Sequence, residues 1–197
     1  SRHYHPLSLQ PYPTRLSSDL TLKEGFSKST KRNLKKAEQN NLVCSFHYGQ
    51  EMLNYTEEFI ELNKTNTQSH GTTTHPDTYF YNLFTVLSKN KDNFIARVSD
   101  HDGICAINVF TVWKNNTSRN SFCPFGASNE RGKQKRSYYF IKWCAIQEMQ
   151  KTIQSFNWGG VSIGYNDDNL TSLNQFKQGF EKNIRDLGPL HDIIISR

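Results

Sequence analysis

No apolar run in this 197-residue chain approaches the roughly 18 residues that a membrane-spanning helix needs. The opening residues, "SRHYHPLSLQPYPTRL", hold none of the apolar core that a secretory signal requires. The chain does not open with Met, so an upstream domain stays open. Cysteine is scarce: Cys44, Cys105, Cys123 and Cys144 are widely separated, and no CxxC pair occurs. That spacing argues against a zinc site or a disulfide framework and for isolated buried thiols, hence a reducing, cytoplasmic setting. There is no P-loop, so a nucleoside triphosphatase is not indicated. His70 and His75 in "HGTTTH" lack helical ligand spacing and a third ligand nearby, so no metal is expected.

What is present suits one domain with a proper core. Hydrophobic residues reach only 35%, but 13% are aromatic, which places the chain among globular and not disordered sequences. The net charge of +6 suggests anionic partners. Its distribution says more, because the cations pile into two stretches. One is "KSTKRNLKK", with Lys28, Lys31, Arg32, Lys35 and Lys36; the other is "RGKQKR", with Arg131, Lys133, Lys135 and Arg136. Two concentrated patches read as two binding surfaces.

Residues 1–24 hold three prolines and little periodicity, which predicts an extended N-terminal arm before a single domain over 25–197. "SKSTKRNLKKAEQNN" predicts a short helix with Leu34 and Ala37 on a narrow apolar face. "LVCSFHY" alternates as a strand does. Two helices follow, in "QEMLNYTEEFIELNKTN" and, started by Pro76, in "HPDTYFYNLFTVLSKN". "NFIARVS" and "ICAINVFTVW" form a hairpin across "DHDG", and "RNSFCPFGAS" adds a third antiparallel strand. After the basic loop, "SYYFIKWCAIQEMQKTIQSF" is the longest helix, with Ile141, Cys144, Ala145, Met149 and Ile153 inward. "FNWGGVS" is a short strand, "LTSLNQFKQGF" a short helix and "HDIIIS" a last strand. One mixed, largely antiparallel sheet flanked by helices, an α/β (α+β) fold, is the economical architecture.

Three stretches carry the chemistry. The basic loop ends where a long helix begins near Ser137, and the first-turn N–H groups there lack intrahelical acceptors. Cations crowded at a helix N-terminus oppose its dipole unless an anion offsets them, so Arg131, Lys133, Lys135, Arg136 and Ser137 read as a phosphate cradle slightly ahead of a solvated basic loop. In the earlier helix, Lys28 with Arg32 and Arg32 with Lys36 are like-charge i,i+4 pairs. A phosphate-bearing ligand explains them, and so does a solvated lysine-rich face. Third, Lys177 lies between Phe176 and Phe180, downstream of Trp158, Gly159, Gly160 and Tyr165. By itself such a lysine most often packs its stem on aromatics and sends its head to water.

Taken together, these pieces resemble a known family. "FSKSTKRNLKKAEQNNLVCSF" is similar to the basic helix and strand of Fem-type peptidoglycan aminoacyltransferases (the FemAB/FemX-like group). "YYFIKWCAIQEMQKTIQSFNWGG" resembles their long helix, strand and glycines, and "NLTSLNQFKQGF" their Phe-Lys segment. The resemblance runs from about Phe26 to Phe180 and implies a GNAT-type fold. It also implies acyl or aminoacyl transfer to an amine, from acyl-CoA or aminoacyl-tRNA as co-substrate, with no permanently bound cofactor. The acceptor it implies is an amine such as a cell-envelope precursor, with tRNA a further partner. Lys177 and Phe176 match the reaction centre, and Lys177 would stabilise the negative charge that develops on the attacked carbonyl oxygen. Arg131, Lys133, Lys135, Arg136 and Ser137 then form the donor-phosphate set. Lys28, Arg32, Lys36, Trp158, Gly159, Gly160 and Tyr165 form the acceptor or phosphate set. The sequence departs from the family after Phe180, where "EKNIRDLGPLHDI" replaces a Gly-rich continuation, and it lacks the usual GNAT phosphate loop. Fem enzymes also carry two GNAT-like halves, and this chain has room for one.

Two other readings compete: a non-catalytic nucleic-acid-binding module using both basic patches, and a half-domain that supports a partner. Turnover that depends on Lys177 separates the transferase from both.

Overall fold

A computed structural model describes residues 7–9, 19–69, 71–114, 118–150, 152–157, 168–180 and 184–186. Five strands make the main sheet: β2 (Val43–Tyr48), β3 (Phe94–Asp100), β4 (Gly103–Lys114), β5 (Arg119–Ser128) and β6 (Ser155–Asn157), adjacent in that order. Neighbours are antiparallel except β5 and β6, which are parallel and pair from Asn120–Ser155 to Phe122–Asn157. Period-two alternation sorts the side chains of β3 cleanly. Phe94, Ala96 and Val98 face one apolar cluster, and Ile95 faces the other. On β4, Asn108 lies between Ala106 and Phe110, which belong to the first cluster.

Helices cover both faces. A 3-10 turn (Gly49–Tyr55), α3 (Thr56–Ser69) and α4 (Asp77–Leu87) close one side, where Phe59, Phe80 and Phe84 are fully buried. α4 starts after Pro76, whose missing N–H costs nothing at a helix entry. Arg97 of β3 ties this layer down through a two-pronged ion pair with Glu58, at 2.6 and 2.7 Å. The other face carries α2 (Lys28–Glu38), α6 (Ser137–Met149) and α7 (Asp168–Phe180). α2 is capped by the Ser27 side chain, which accepts from Thr30 N–H, and it buries Thr30, Leu34 and Ala37. α6 has buried residues around most of its circumference, as a helix wedged between a sheet and other helices must. Phe26, Trp143 and Phe180 meet edge to face where these helices converge.

Several expectations are corrected. The segment read as an extended arm contains α1 (Asp19–Gly25), a helix too short for periodicity to reveal. Leu22 anchors it to the core, and Lys23 pairs with Glu38 at 2.7 Å and lies over the Trp143 ring. The basic loop contains a short helix, α5 (Glu130–Gln134), capped by Asn129, which accepts from Gly132 N–H. α6 ends at Met149, although the periodicity predicted helix as far as Phe156. Chain direction then reverses into β6, where the Arg119 carbonyl accepts from Gln154 N–H at 2.8 Å. A separate two-stranded ladder joins β1 (Leu7–Leu9) to β7 (Ile184–Asp186) and has no sequence signal at three residues a strand. The strand expected in "HDIIIS" lies outside the described residues.

Candidate active site

The first turns of α6 and the last turns of α7 pack against each other through aromatic rings. Phe176 meets Tyr138 at 5.6 Å and Tyr139 at 4.9 Å between centroids, and it meets Phe180 at 5.4 Å. The next residue, Lys177, is half-buried. Burial, chiefly, lowers the Lys177 amine from the ordinary 10.5 to about 8; the Lys142 cation adds to the effect and Cys123 opposes it.

Lys142 reaches the same region from α6 and is only 5% exposed. Its Nζ donates to Cys123 Sγ at 3.0 Å and lies over the rings of Phe110, at 5.5 Å, and Tyr138, at 5.9 Å. The Asn108 amide satisfies both its ends when its nitrogen donates to the Ile107 carbonyl and its oxygen accepts from Lys142 Nζ, each at 3.1 Å. The strand partner of Asn108 is Gly126, and only a residue without Cβ fits there. A Cβ would stand 2.5 Å from the Tyr138 hydroxyl and collide with the Asn108 amide. Burial holds the Tyr138 phenol above its usual range, with Cys123 adding to the effect. Two lysines, a thiol, an amide and a phenol thus share one region on the α6 face of the sheet.

Of the residues expected from sequence, Lys177 and Phe176 stand in this constellation. Trp158, Gly159, Gly160 and Tyr165 lie outside the described residues. Ser137 opens α6; its hydroxyl is fully buried and has no hydrogen-bond partner among the described residues. The neighbouring cations are largely engaged by protein. Lys135 Nζ contacts Asp100 at 2.6 Å, Arg131 contacts the same carboxylate at 3.4 Å, and Lys133 reaches Ser69 at 2.6 Å. Lys135, first of all, holds the Asp100 carboxyl down to about 2. Asp100 therefore supplies an internal anion to offset cations that sequence reasoning offered to a phosphate. Arg136 is exposed and takes the left-handed conformation (φ 61°) as it leads into α6.

Lys28, Arg32 and Lys36 are exposed on α2. The two basic stretches adjoin, because Asn40 donates from its amide to the carbonyls of Lys36, at 2.7 Å, and Lys135, at 3.4 Å. They form one neighbourhood in place of two separate surfaces. Asp100, His101 and Asp102 are the one group of possible metal ligands found among the described residues; Asp100 there is bound to Lys135 and Arg131.

Sequence reasoning missed Lys142, Asn108, Cys123 and Tyr138 as a group, since they stand on three different elements. One signal was available. A lysine flanked for a full turn on each side by apolar and aromatic residues, from Tyr138 to Ile146, has no polar face to belong to.

The fold is that of the Fem-type and GNAT-type transferases. The crystal structure of FemX superposes with a TM-score of 0.74 at 11% identity, over 90% of this chain and 58% of that one. The C-terminal DUF2156 domain of an Agrobacterium fabrum protein assigned as a lysylphosphatidylglycerol synthetase gives 0.63 at 13% identity, over 92% and 57%. A Clostridium difficile 630 protein assigned as an acetyltransferase gives 0.54 at 8% identity, over 79% of this chain and 99% of that one. The chain thus spans less than two thirds of the first two, at 58% and 57% of their lengths. No family model matches the sequence, and no curated protein matches it at the sequence level. No helix among the described residues is long and apolar enough to cross a membrane.

Proposed function

We propose that this chain is an N-acyltransferase that moves an acyl or aminoacyl group from a phosphate-bearing donor to an amine. The observation that carries this reading is the half-buried Lys177 amine, beside Lys142 and Cys123, in a fold shared with transferases. The amine nitrogen of the acceptor bonds to the donor's carbonyl carbon, and negative charge develops on the carbonyl oxygen. The bond from that carbon to the donor's sulfur or oxygen then breaks, and the proton released by the amine ends on the leaving group. A Lys177 with its midpoint at about 8 is mostly ammonium at pH 7, so it donates to the developing oxyanion from a partly desolvated position. Acyl-CoA is the first donor to test, with aminoacyl-tRNA the alternative that the family resemblance implies. Exposed Lys28, Arg32, Lys36 and Arg136 are the cations open to its phosphates. An amine-bearing cell-envelope precursor is the acceptor class that the same resemblance implies. The free thiols of Cys44, Cys105, Cys123 and Cys144 suit a cytoplasmic setting.

The test is release of free CoA from acetyl-CoA in the presence of a panel of amines, for the wild-type chain and Lys177→Met. Removing one oxyanion donor costs roughly 100- to 1,000-fold in turnover. A variant that keeps turnover within twofold of wild type would remove Lys177 from the chemistry.

A further inference from the structure

The edge strand β2 carries a separate constellation, on the sheet face opposite Lys142. Ser45 and His47 are two residues apart, so the pleat sends both side chains to one face. Their cross-strand partners on β3 are Arg97 and Ile95, and Ile95 belongs to the cluster beneath α3 and α4. Ser45 Oγ lies 2.9 Å from His47 Nε2. β2 ends before Gly49, whose φ of 49° leads the chain into the 3-10 turn and brings Glu51 back to the imidazole. Glu51 Oε2 stands 4.0 Å from His47 Nδ1, the ring nitrogen that Ser45 does not use. With its proton on Nδ1, His47 accepts from the Ser45 hydroxyl at Nε2 and turns its N–H to the carboxylate. Tyr55 steadies the ring from one side, 4.1 Å between centroids. Hydroxyl, imidazole and carboxylate thus stand in the order of a nucleophile, its base and the group that orients the base. We propose that Ser45, His47 and Glu51 form a hydrolytic site for small carboxylic esters, with Ser45 as nucleophile, His47 as general base and Glu51 as positioning residue.

The surroundings suit that chemistry. β2 is the outermost strand of the sheet, and Ser45 is half-buried on it, so a substrate approaches from the edge. Arg97 gives Nε and Nη2 to Glu58, which leaves Nη1 uncommitted among the described residues as a donor for the oxygen that becomes negative. Val43, two residues before Ser45 on the same face, is 63% exposed and offers an apolar surface to a short acyl chain. Ser45 Oγ bonds to the ester carbonyl carbon as its proton passes to His47 Nε2. The bond from that carbon to the alcohol oxygen breaks, and the alcohol leaves with the proton. Water then attacks the acyl-serine by the same route, releasing the acid and restoring the hydroxyl. The imidazole has to be neutral at the start. Burial, chiefly, lowers His47 below the ordinary 6.5, against Glu51 of the 3-10 turn and Glu58 of α3, while Arg97 of β3 adds to the effect. Tyr55 is the other titratable group packed on the ring.

The experiment is labelling of the full chain with a fluorophosphonate, which phosphonylates activated serines, from pH 5 to 9, with adducts located by peptide mass spectrometry. Turnover of p-nitrophenyl acetate is followed alongside. Ser45 is expected to take the label, faster as the pH rises through the His47 midpoint and at a constant rate above it. His47→Gln is expected to slow labelling and ester turnover by roughly 100-fold or more. Glu51→Gln changes a side chain that is 69% exposed, so the core is untouched. It is expected to slow both reactions and to move the profile to lower pH, since it removes a charge that favours the imidazolium. An unlabelled Ser45 in the folded wild-type chain would overturn the proposal. So would a Ser45 adduct that forms equally fast in His47→Gln, or ester turnover that Ser45→Ala leaves unchanged. A Glu51→Gln profile that stays in place would remove Glu51 from the site. None of these outcomes depends on Lys177.

Discussion

Replacing Lys177 by Met should make the protein more stable at neutral pH. In the folded chain the amine loses its proton near pH 8, whereas in the unfolded chain it does so near 10.5. At pH 7 both states hold the proton, and the folded one holds a charge that its surroundings disfavour. Each pH unit of that gap is worth about 1.4 kcal/mol, so the penalty is bounded at about 3.5 kcal/mol. Partial exposure and the contacts that Met would forfeit reduce it, leaving a gain of about 1–3 kcal/mol for the variant at pH 7. The pH dependence has a definite sign. Between about pH 8 and 10.5 the unfolded chain binds more protons than the folded one, so wild-type stability rises with pH across that window. Lys177→Met lacks this contribution, so its advantage shrinks as the pH climbs and is gone above the window. Urea unfolding of both proteins at pH 7, 8.5 and 10 measures the difference; taking it cancels the other titrating groups, among them the Tyr48 and Tyr138 phenols. Equal stabilities at pH 7, or a variant deficit that does not change with pH, would refute the claim that Lys177 is held against its preferred charge.

Two further outcomes are expected. Gly126→Ala forces apart the Asn108 amide and the Tyr138 hydroxyl, and overpacking of this kind costs about 1–3 kcal/mol. Gly25→Ala, where nothing lies within 4 Å of the added carbon, should change stability by less than about 1 kcal/mol; thermal melts of the two variants that coincide would contradict the packing described around Asn108. Second, a hydrogen bond to Cys144, then burial, raises the Cys44 thiol above its usual range. Native-state alkylation at pH 8 should therefore be slow at Cys44 and become rapid on unfolding, as read by peptide mass spectrometry.

The sequence carried much of this fold because local rules and tertiary packing agree. β3 and β4 alternate with the pleat, Asp102-Gly103 turns the hairpin between them, and the α4 face with Phe80 and Phe84 is the one buried. α1 and the β1–β7 ladder were not legible, since a seven-residue helix and three-residue strands acquire their conformations from distant partners. Lys177 stood out through its aromatic flanks and its family resemblance. Lys142 did not, because burial is decided by how α6 meets the sheet, and a lysine read along the chain belongs by default to water. The internal partner of the basic segment was hidden for a related reason. The segment's cations face an anion, but Asp100 lies on a strand far back in the chain.

Ser27 serves two helices at once. Its side chain closes the first turn of α2, while its backbone N–H donates at 2.8 Å to the carbonyl of Gly179, in the last turn of α7, where helix carbonyls have no intrahelical donor. Gly179 has no side chain to hold the helices apart, and a Cβ there would run into the Thr30 hydroxyl. One residue thus fastens the start of the basic helix to the end of the helix that carries Lys177, two positions from that lysine, so a substitution that loosens either helix end loosens both.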